Sequence, residues 1–81
     1  MLKEELKNYI ISELNKMGCR NVKFSNGEDD FAVVFFDCDN LISFRQEIPD
    51  WKYAGIQLNT EKNDENNRKY KIEFRKIQPK I

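Results

Sequence analysis

The sequence predicts a single small α+β domain over residues 1–81, in which an N-terminal helix packs on an antiparallel sheet of four to five strands. Two observations carry this prediction. Apolar residues recur every three to four positions in the first seventeen residues, as they do on one face of a helix. From residue 19 onward, short segments alternate apolar and polar residues, and Asn, Gly, Pro and Asp lie between them, which is the pattern of strands joined by turns.

The N-terminal segment is predicted to be an amphipathic helix that ends at about Met17. Its apolar stripe consists of Leu2, Leu6, Tyr9, Ile10, Leu14 and Met17. Glu4 and Glu5 in the first turn and Lys16 in the last have the charges that the helix dipole favours. Gly18 can adopt the left-handed conformation that ends a helix. We expect the stripe to face the core.

Residues 31–36, FAVVFF, contain no polar side chain and are predicted to form the central strand of the sheet. Residues 19–25 alternate, with Val22 and Phe24 on one face, and predict the strand before it. The Asn-Gly pair at positions 26 and 27 favours a hairpin between the two. Because strand side chains alternate, both faces of the central strand carry apolar groups. The helix can cover one face, and the other needs a further cover.

Residues 39–48 fit two structures. As a helix, the segment would begin at Asp39 or Asn40 and end at Pro49, giving an αββαββ two-layer sandwich. As a strand, it would alternate and lead into a Pro-Asp turn, so that the helix is followed by an antiparallel meander. The strand is preferred, because the isoleucine and phenylalanine of this segment are poor helix formers.

Two further strands are predicted in the C-terminal third. Residues 51–59 alternate apolar and polar positions, and residues 70–75 have one apolar face and one charged face. Between them, residues 60–67, TEKNDENN, are wholly polar and predict a loop. Residues 77–81 are expected to form a frayed tail.

The composition argues against several classes of protein. The chain has no histidine and two cysteines, Cys19 and Cys38, so the usual zinc ligand sets cannot be completed. We expect both cysteines to be reduced, although a bridge between neighbouring strands is geometrically allowed. No apolar run approaches the length of a membrane span, and the start, MLKEELKNYI, does not fit a signal peptide. A cytoplasmic protein is therefore expected, with no membrane contact.

The nearest approach to a catalytic motif is Asp37-Cys38-Asp39, after the central strand. Two carboxylates at this spacing could hold a divalent cation, or one could act as a nucleophile. A polar turn is the preferred interpretation, because a chain this short lacks room for the fold that surrounds such sites. Cys38 has no histidine to act as its base. We therefore predict no catalytic residue, no metal and no cofactor, and do not expect an enzyme.

The formal net charge is zero, but residues 1–27, 28–50 and 51–81 carry +2, −6 and +4. This segregation, together with the doubly apolar strand, favours a non-enzymatic protein-binding module, acting alone or as a homodimer. The predicted protein-binding residues are Phe36, Phe44, Arg45, Trp51 and Tyr53. Such a module would suit a phage or mobile-element accessory protein that inhibits a host complex such as a defence system.

The alternative function is single-stranded nucleic-acid binding by the basic C-terminal strand. The residues predicted to contact the nucleic acid are Arg68, Lys69, Lys71, Arg75 and Lys76. Tyr70 and Phe74 lie between these cations, but the alternation predicts that their rings face the core. Nucleic acid is therefore the less favoured partner, and the zero net charge points the same way.

Overall fold

The computed structural model describes residues 1–26, 28–40, 43–61 and 66–78. In these residues the chain forms one helix and five strands, which are α1 (Lys3–Lys16), β1 (Arg20–Asn26), β2 (Phe31–Asp37), β3 (Trp51–Lys52), β4 (Gln57–Leu58) and β5 (Tyr70–Lys76). All strand pairs are antiparallel, and α1 packs on the sheet, so the predicted α+β class is confirmed. Within the same ranges, no helix has the length and apolar character needed to cross a membrane.

β2 and β5 form the centre of the sheet. The strand order is β1-β2-β5-β3, and β4 also pairs with β5. The interior position of residues 31–36 and their hairpin with β1 are therefore as predicted, with Phe24 opposite Val34. The connectivity departs from a simple meander, because the C-terminal strand is inserted between β2 and β3. The single strand predicted for residues 51–59 is also interrupted: it forms two short strands, β3 and β4, which both pair with β5.

The segment between β2 and β3 is neither the preferred strand nor the alternative helix in its described residues, 38–40 and 43–50. Residues 41 and 42, on which part of that prediction rests, lie outside the described residues. Phe44 and Ile48 are buried in the same core cluster as the apolar residues of α1. The Phe44 ring centroid lies 5.4 Å from that of Tyr53. The strand prediction is wrong here, because tertiary contacts rather than ladder hydrogen bonds hold these apolar residues.

Two turns use backbone conformations with positive φ. Gly18, at φ 83°, follows α1 and ends it as predicted. Asp50, at φ 72°, is the third residue of a turn closed by the Trp51 N–H, which donates to the Ile48 carbonyl at 3.3 Å. A positive φ at this position is what a type II turn with proline at its second residue requires. The predicted Pro-Asp turn is therefore present before β3.

The core lies between α1 and one face of the sheet. Its fully buried members are Leu6, Ile10 and Leu14 of α1, Ala32, Val34 and Phe36 of β2, and Ile72 and Phe74 of β5. The alternate residues of β2, Phe31, Val33 and Phe35, are half-buried and lie outside this cluster. In the described ranges, no helix or strand packs over that second face. The described residues therefore cover only one of the two apolar faces of β2.

Val34→Thr and Val33→Thr provide a matched test of this difference. Threonine has nearly the shape and strand preference of valine, so the two changes differ mainly in burial. At Val34 the hydroxyl enters the core, and we expect the free energy of unfolding to fall by about 1–3 kcal/mol. At Val33 the hydroxyl reaches solvent, and the change should stay within about 0.5 kcal/mol. Urea denaturation followed by Trp51 fluorescence measures both. Equal losses would mean that the second face is also buried.

Candidate protein-binding surface

The sheet face opposite α1 carries an apolar stripe within a polar border. The stripe is formed by Phe31, Val33 and Phe35 of β2. Its same-face neighbours on the other strands are Lys23 and Ser25 of β1, Lys71, Glu73 and Arg75 of β5, Lys52 of β3 and Gln57 of β4. We refer to the stripe and these neighbours together as the open face.

The cross-strand register places cations on both sides of the stripe. Lys23 and Lys71 are the partners of Phe35 on the two neighbouring strands. At the other end of the stripe, Arg75 is the partner of Phe31, and its guanidinium carbon lies 4.6 Å from the ring centroid. This distance is that of a cation–π contact. The Phe35 end of the stripe is therefore flanked by two lysines, whereas at the Phe31 end Arg75 lines a recess together with Glu28 and Asp30.

The open face has a net positive charge. Its four cations include Lys52, which is exposed and lies opposite Arg75. Its one carboxylate is Glu73, opposite Val33 in the middle of the stripe. Four cations against one carboxylate give a net charge of +3. Long cationic side chains can lay their aliphatic stems over apolar surface while the charged ends stay in water. Such a face attracts acidic groups and still offers apolar area for contact.

A recess of about 380 Å³ adjoins the open face at the edge of the sheet. Its lining residues are Lys52, Tyr53, Ala54, Gln57, Glu73 and Arg75. The recess lies beside residues 53–56, which connect the short strands β3 and β4 and do not pair with β5. In this connection Gly55 has a φ of 120°, a conformation that glycine adopts far more readily than other residues. The recess has the size to receive a side chain of a partner, and two of its walls are cationic.

Three of the five predicted protein-binding residues are core residues. Phe36 is fully buried, and its ring centroid lies 5.8 Å from that of Tyr70. Phe44 and Trp51 are each 3% accessible. The indole Nε1–H of Trp51 donates to the Met1 carbonyl at 2.9 Å, which satisfies its buried polar atom. These three side chains have almost no surface to offer a partner in the folded protein.

The other two predicted residues lie closer to solvent. Tyr53 is half-buried beside Phe74, with 5.2 Å between ring centroids, and its hydroxyl donates to the Gln46 carbonyl. Burial raises the pKa of Tyr53. Arg45 is exposed, and its Nε donates to the Ser43 hydroxyl at 3.2 Å. An open groove of about 680 Å³ brings Arg45 and Tyr53 together with Phe44 and Trp51, whereas Phe36 lies away from it.

The structure also separates the residues predicted to bind nucleic acid. Lys71 and Arg75 lie on the open face. Lys76 is exposed but lies opposite Trp51, on the other side of the sheet. Lys69 is exposed, with its ammonium 5.6 Å from the centroid of the neighbouring Tyr70 ring.

Arg68, the fifth member of that set, is half-buried and engaged within the protein. Its guanidinium donates to two oxygens of Asn21, the carbonyl and, at 3.0 Å, Oδ1. Of the five, Lys71 and Arg75 therefore lie on the open face beside the rings of Phe35 and Phe31.

Asp37 and Asp39 bind protein groups. Asp37 accepts the Asn21 amide at 3.0 Å and the Lys69 backbone N–H at 2.8 Å. Asp39 forms an ion pair with Arg20 at 3.0 Å. In the part of the chain that the structure describes, no group of three or more His, Cys, Asp or Glu residues is placed to hold a metal ion.

Asn21 organises this end of the sheet. It lies where the β1–β2 register shifts between Arg20 and Lys23, and its φ is 57°. Asparagine is among the few residues that adopt this left-handed conformation readily. Its side chain donates to Asp37 and accepts from Arg68, so that it joins β1 to the end of β2 and the approach to β5. The Asn21 hydrogen bond is the main cause that lowers the pKa of Asp37, and the Lys69 N–H and the charges of nearby arginines add to it.

The open face includes residues that the sequence did not identify as a binding site, namely Phe31, Val33, Phe35 and Lys23. The sequence contains one indication of this face, because the alternation of side chains in residues 31–36 already predicts a second apolar face. The position of Lys23 and Lys71 beside Phe35 depends on pairing between strands far apart in sequence. Local patterns do not contain that information.

Comparison with known proteins gives no match, since no family model, curated protein or solved structure matches this chain.

Replacing Asn21 by glycine and by alanine separates its two contributions. Both variants lose the side-chain hydrogen bonds, each contributing about 0.5–1.5 kcal/mol. Only alanine adds the strain of a Cβ in the left-handed conformation, about 1–2 kcal/mol. We expect Asn21→Ala to lower the free energy of unfolding by about 1 kcal/mol more than Asn21→Gly does, as measured by urea denaturation. If glycine were as destabilising as alanine, backbone conformation would not be what selects asparagine.

Asp37 should make the free energy of unfolding depend on pH in the acidic range. Its pKa is lowered on folding, so the stabilisation is present above the unfolded-state pKa of about 3.9 and is lost as the pH falls through the folded-state value. The free energy of unfolding should therefore fall between about pH 5 and pH 2, and fall less in Asp37→Asn. Asn21→Gly should show an intermediate slope, because it retains Asp37 without its main hydrogen bond. Parallel curves for Asp37→Asn and wild type would contradict this assignment.

Proposed function

We propose that this chain is a non-catalytic protein-binding module that binds an acidic surface of another protein through its open face. The observation that carries the proposal is the apolar stripe of β2 within a frame of four cations. Protein interfaces commonly combine an apolar centre with a polar rim, and they are enriched in aromatic residues and arginine. The stripe and Arg75 supply these features on a single face of the sheet.

The sign of the charge favours a foreign protein over a second copy of this chain. A homodimer joined open face to open face would bring two surfaces of net charge +3 together. Like charges opposed across an interface disfavour association, whereas an acidic partner is attracted and oriented. Lys52 and Arg75, which line the recess together with Glu73, can pair with an Asp or Glu side chain of that partner. As an accessory protein, the module would inhibit a larger complex by covering such an acidic surface.

Three features make nucleic acid the weaker candidate. Glu73 places a carboxylate in the middle of the open face, where it interrupts the line of cations that a phosphate backbone would follow. The rings of Phe31 and Phe35 are half-buried, and the guanidinium of Arg75 lies over the first of them. Base stacking requires an accessible ring face. Arg68, finally, is engaged by Asn21.

Arg75→Glu and Lys76→Glu form the matched test of the proposal. These neighbours are both exposed cations of β5, but their side chains lie on opposite sides of the sheet. A tagged wild-type chain captures its partner from cell lysate, and calorimetry with the purified partner gives the affinities. We expect Arg75→Glu to weaken binding at least about tenfold, or about 1.4 kcal/mol, and Lys76→Glu to change it by less than about twofold. Circular dichroism checks that both variants are folded.

Two outcomes would contradict the proposal. One is that the Arg75→Glu chain captures the same proteins with the same affinity as wild type. The other comes from fluorescence anisotropy with labelled oligothymidylate. Salt-sensitive binding of this probe by the wild type, lost in Arg75→Glu and retained in Lys76→Glu, would assign the open face to single-stranded nucleic acid instead.

A further inference from the structure

Cys19 and Cys38 meet at the end of the β1–β2 hairpin. The register pairs Arg20, the first residue of β1, with Asp37, the last residue of β2. Extending this register by one residue beyond each strand places Cys19 opposite Cys38. Opposed residues of antiparallel strands have Cα atoms about 4.5–5.5 Å apart, which lies within the range that a disulfide spans. Cys38 is the neighbouring side chain that acts on the Cys19 thiol, and both cysteines are free thiols. The register therefore places two free thiols at a backbone separation that a disulfide can span.

The two thiols differ in their access to solvent. Cys19 is 6% accessible and belongs to the core cluster, whereas Cys38 is half-buried at the edge of that cluster. Burial raises the pKa of Cys19 to about 12, and the hydrogen bond and the charge of Cys38 add to this. Cys38 is thus the sulfur that an external reagent reaches first.

We propose that Cys19 and Cys38 are an oxidisable pair that closes to an intramolecular disulfide in the presence of a small disulfide such as oxidised glutathione. The Cys38 thiolate attacks one sulfur of the oxidant, forms a mixed disulfide and releases the first glutathione thiolate. The Cys19 thiolate then attacks the Cys38 sulfur and releases the second. Two protein thiols are oxidised to one disulfide, the oxidant is reduced to two thiols, and the two protons pass through solvent to the leaving thiolates.

Formation of the mixed disulfide at Cys38 favours the later attack by Cys19. Once Cys38 is in the mixed disulfide, its thiolate charge is gone and no longer raises the pKa of Cys19. The Cys19 thiol is still buried and its pKa is still raised by that burial, so attack by Cys19 is expected to be the slow step. The product joins the two ends of the hairpin next to the Asn21 bulge. Because a cross-link restricts the unfolded chain, we expect oxidation to raise Tm by on the order of 10 °C.

The experiment treats the folded wild-type chain with oxidised glutathione and follows its intact mass without reductant. We expect the monomer to lose the mass of two hydrogen atoms, both thiols to become unreactive to a thiol-titrating reagent, and one peptide to contain Cys19 linked to Cys38. Cys38→Ser is the matched control, because it should form no bridge and show no rise in Tm. Cys19→Ser should instead stop at one glutathione attached to Cys38.

The wild-type measurement decides the proposal even if the buried Cys19 cannot be replaced without unfolding. Covalent dimers, stable attachment of glutathione to both cysteines, or no reaction of the folded protein would each overturn it. A bridge that formed without a rise in Tm would overturn the inference that it stabilises the hairpin.

Discussion

The constraint on which this structure depends is that β2 is apolar on both sides, while the described chain provides one helix to cover it. Ala32, Val34 and Phe36 take the side facing α1 and are fully buried. The irregular segment after β2 adds its apolar residues to that same side. The other side is left to Phe31, Val33 and Phe35, which are only half-buried. An interior strand of this composition therefore creates a core on one side and leaves an apolar, half-buried surface on the other.

The geometry of the open face depends in turn on the bulge near the start of β1, at the open end of the β1–β2 hairpin. The bulge at Asn21 shifts the register, and beyond it Lys23 pairs with Phe35. A one-residue slip of β1 would exchange its two faces and remove Lys23 from the open face. Asn21 fixes the register through its left-handed backbone and its contacts with Asp37 and Arg68. The polar cluster at this end of the sheet thus has a structural role, which also explains why its aspartates are bound to protein groups.

Much of this fold could be predicted from local patterns. The stripe of α1, Gly18 at its end and the alternation in β5 are each determined by a few neighbouring residues. The segment at 39–48 was wrongly predicted as a strand, because Phe44 and Ile48 are buried by residues distant in sequence. The same limit applies to the binding residues. Aromatic character suggests a contact surface, but whether a ring is buried depends on packing that no short pattern encodes.

The charge segregation of the sequence becomes meaningful only in the folded sheet. The basic C-terminal third contributes Lys52, Lys71 and Arg75 to the open face, and β1 adds Lys23 from the other side of the stripe. Glu73 is the one carboxylate among them, and it lies beside Val33, at the centre. A surface built to follow a phosphate backbone would place cations along its whole length. An acidic protein can instead place an apolar group over Val33 and direct its carboxylates to the cations around it. The distribution of charge therefore favours a protein partner.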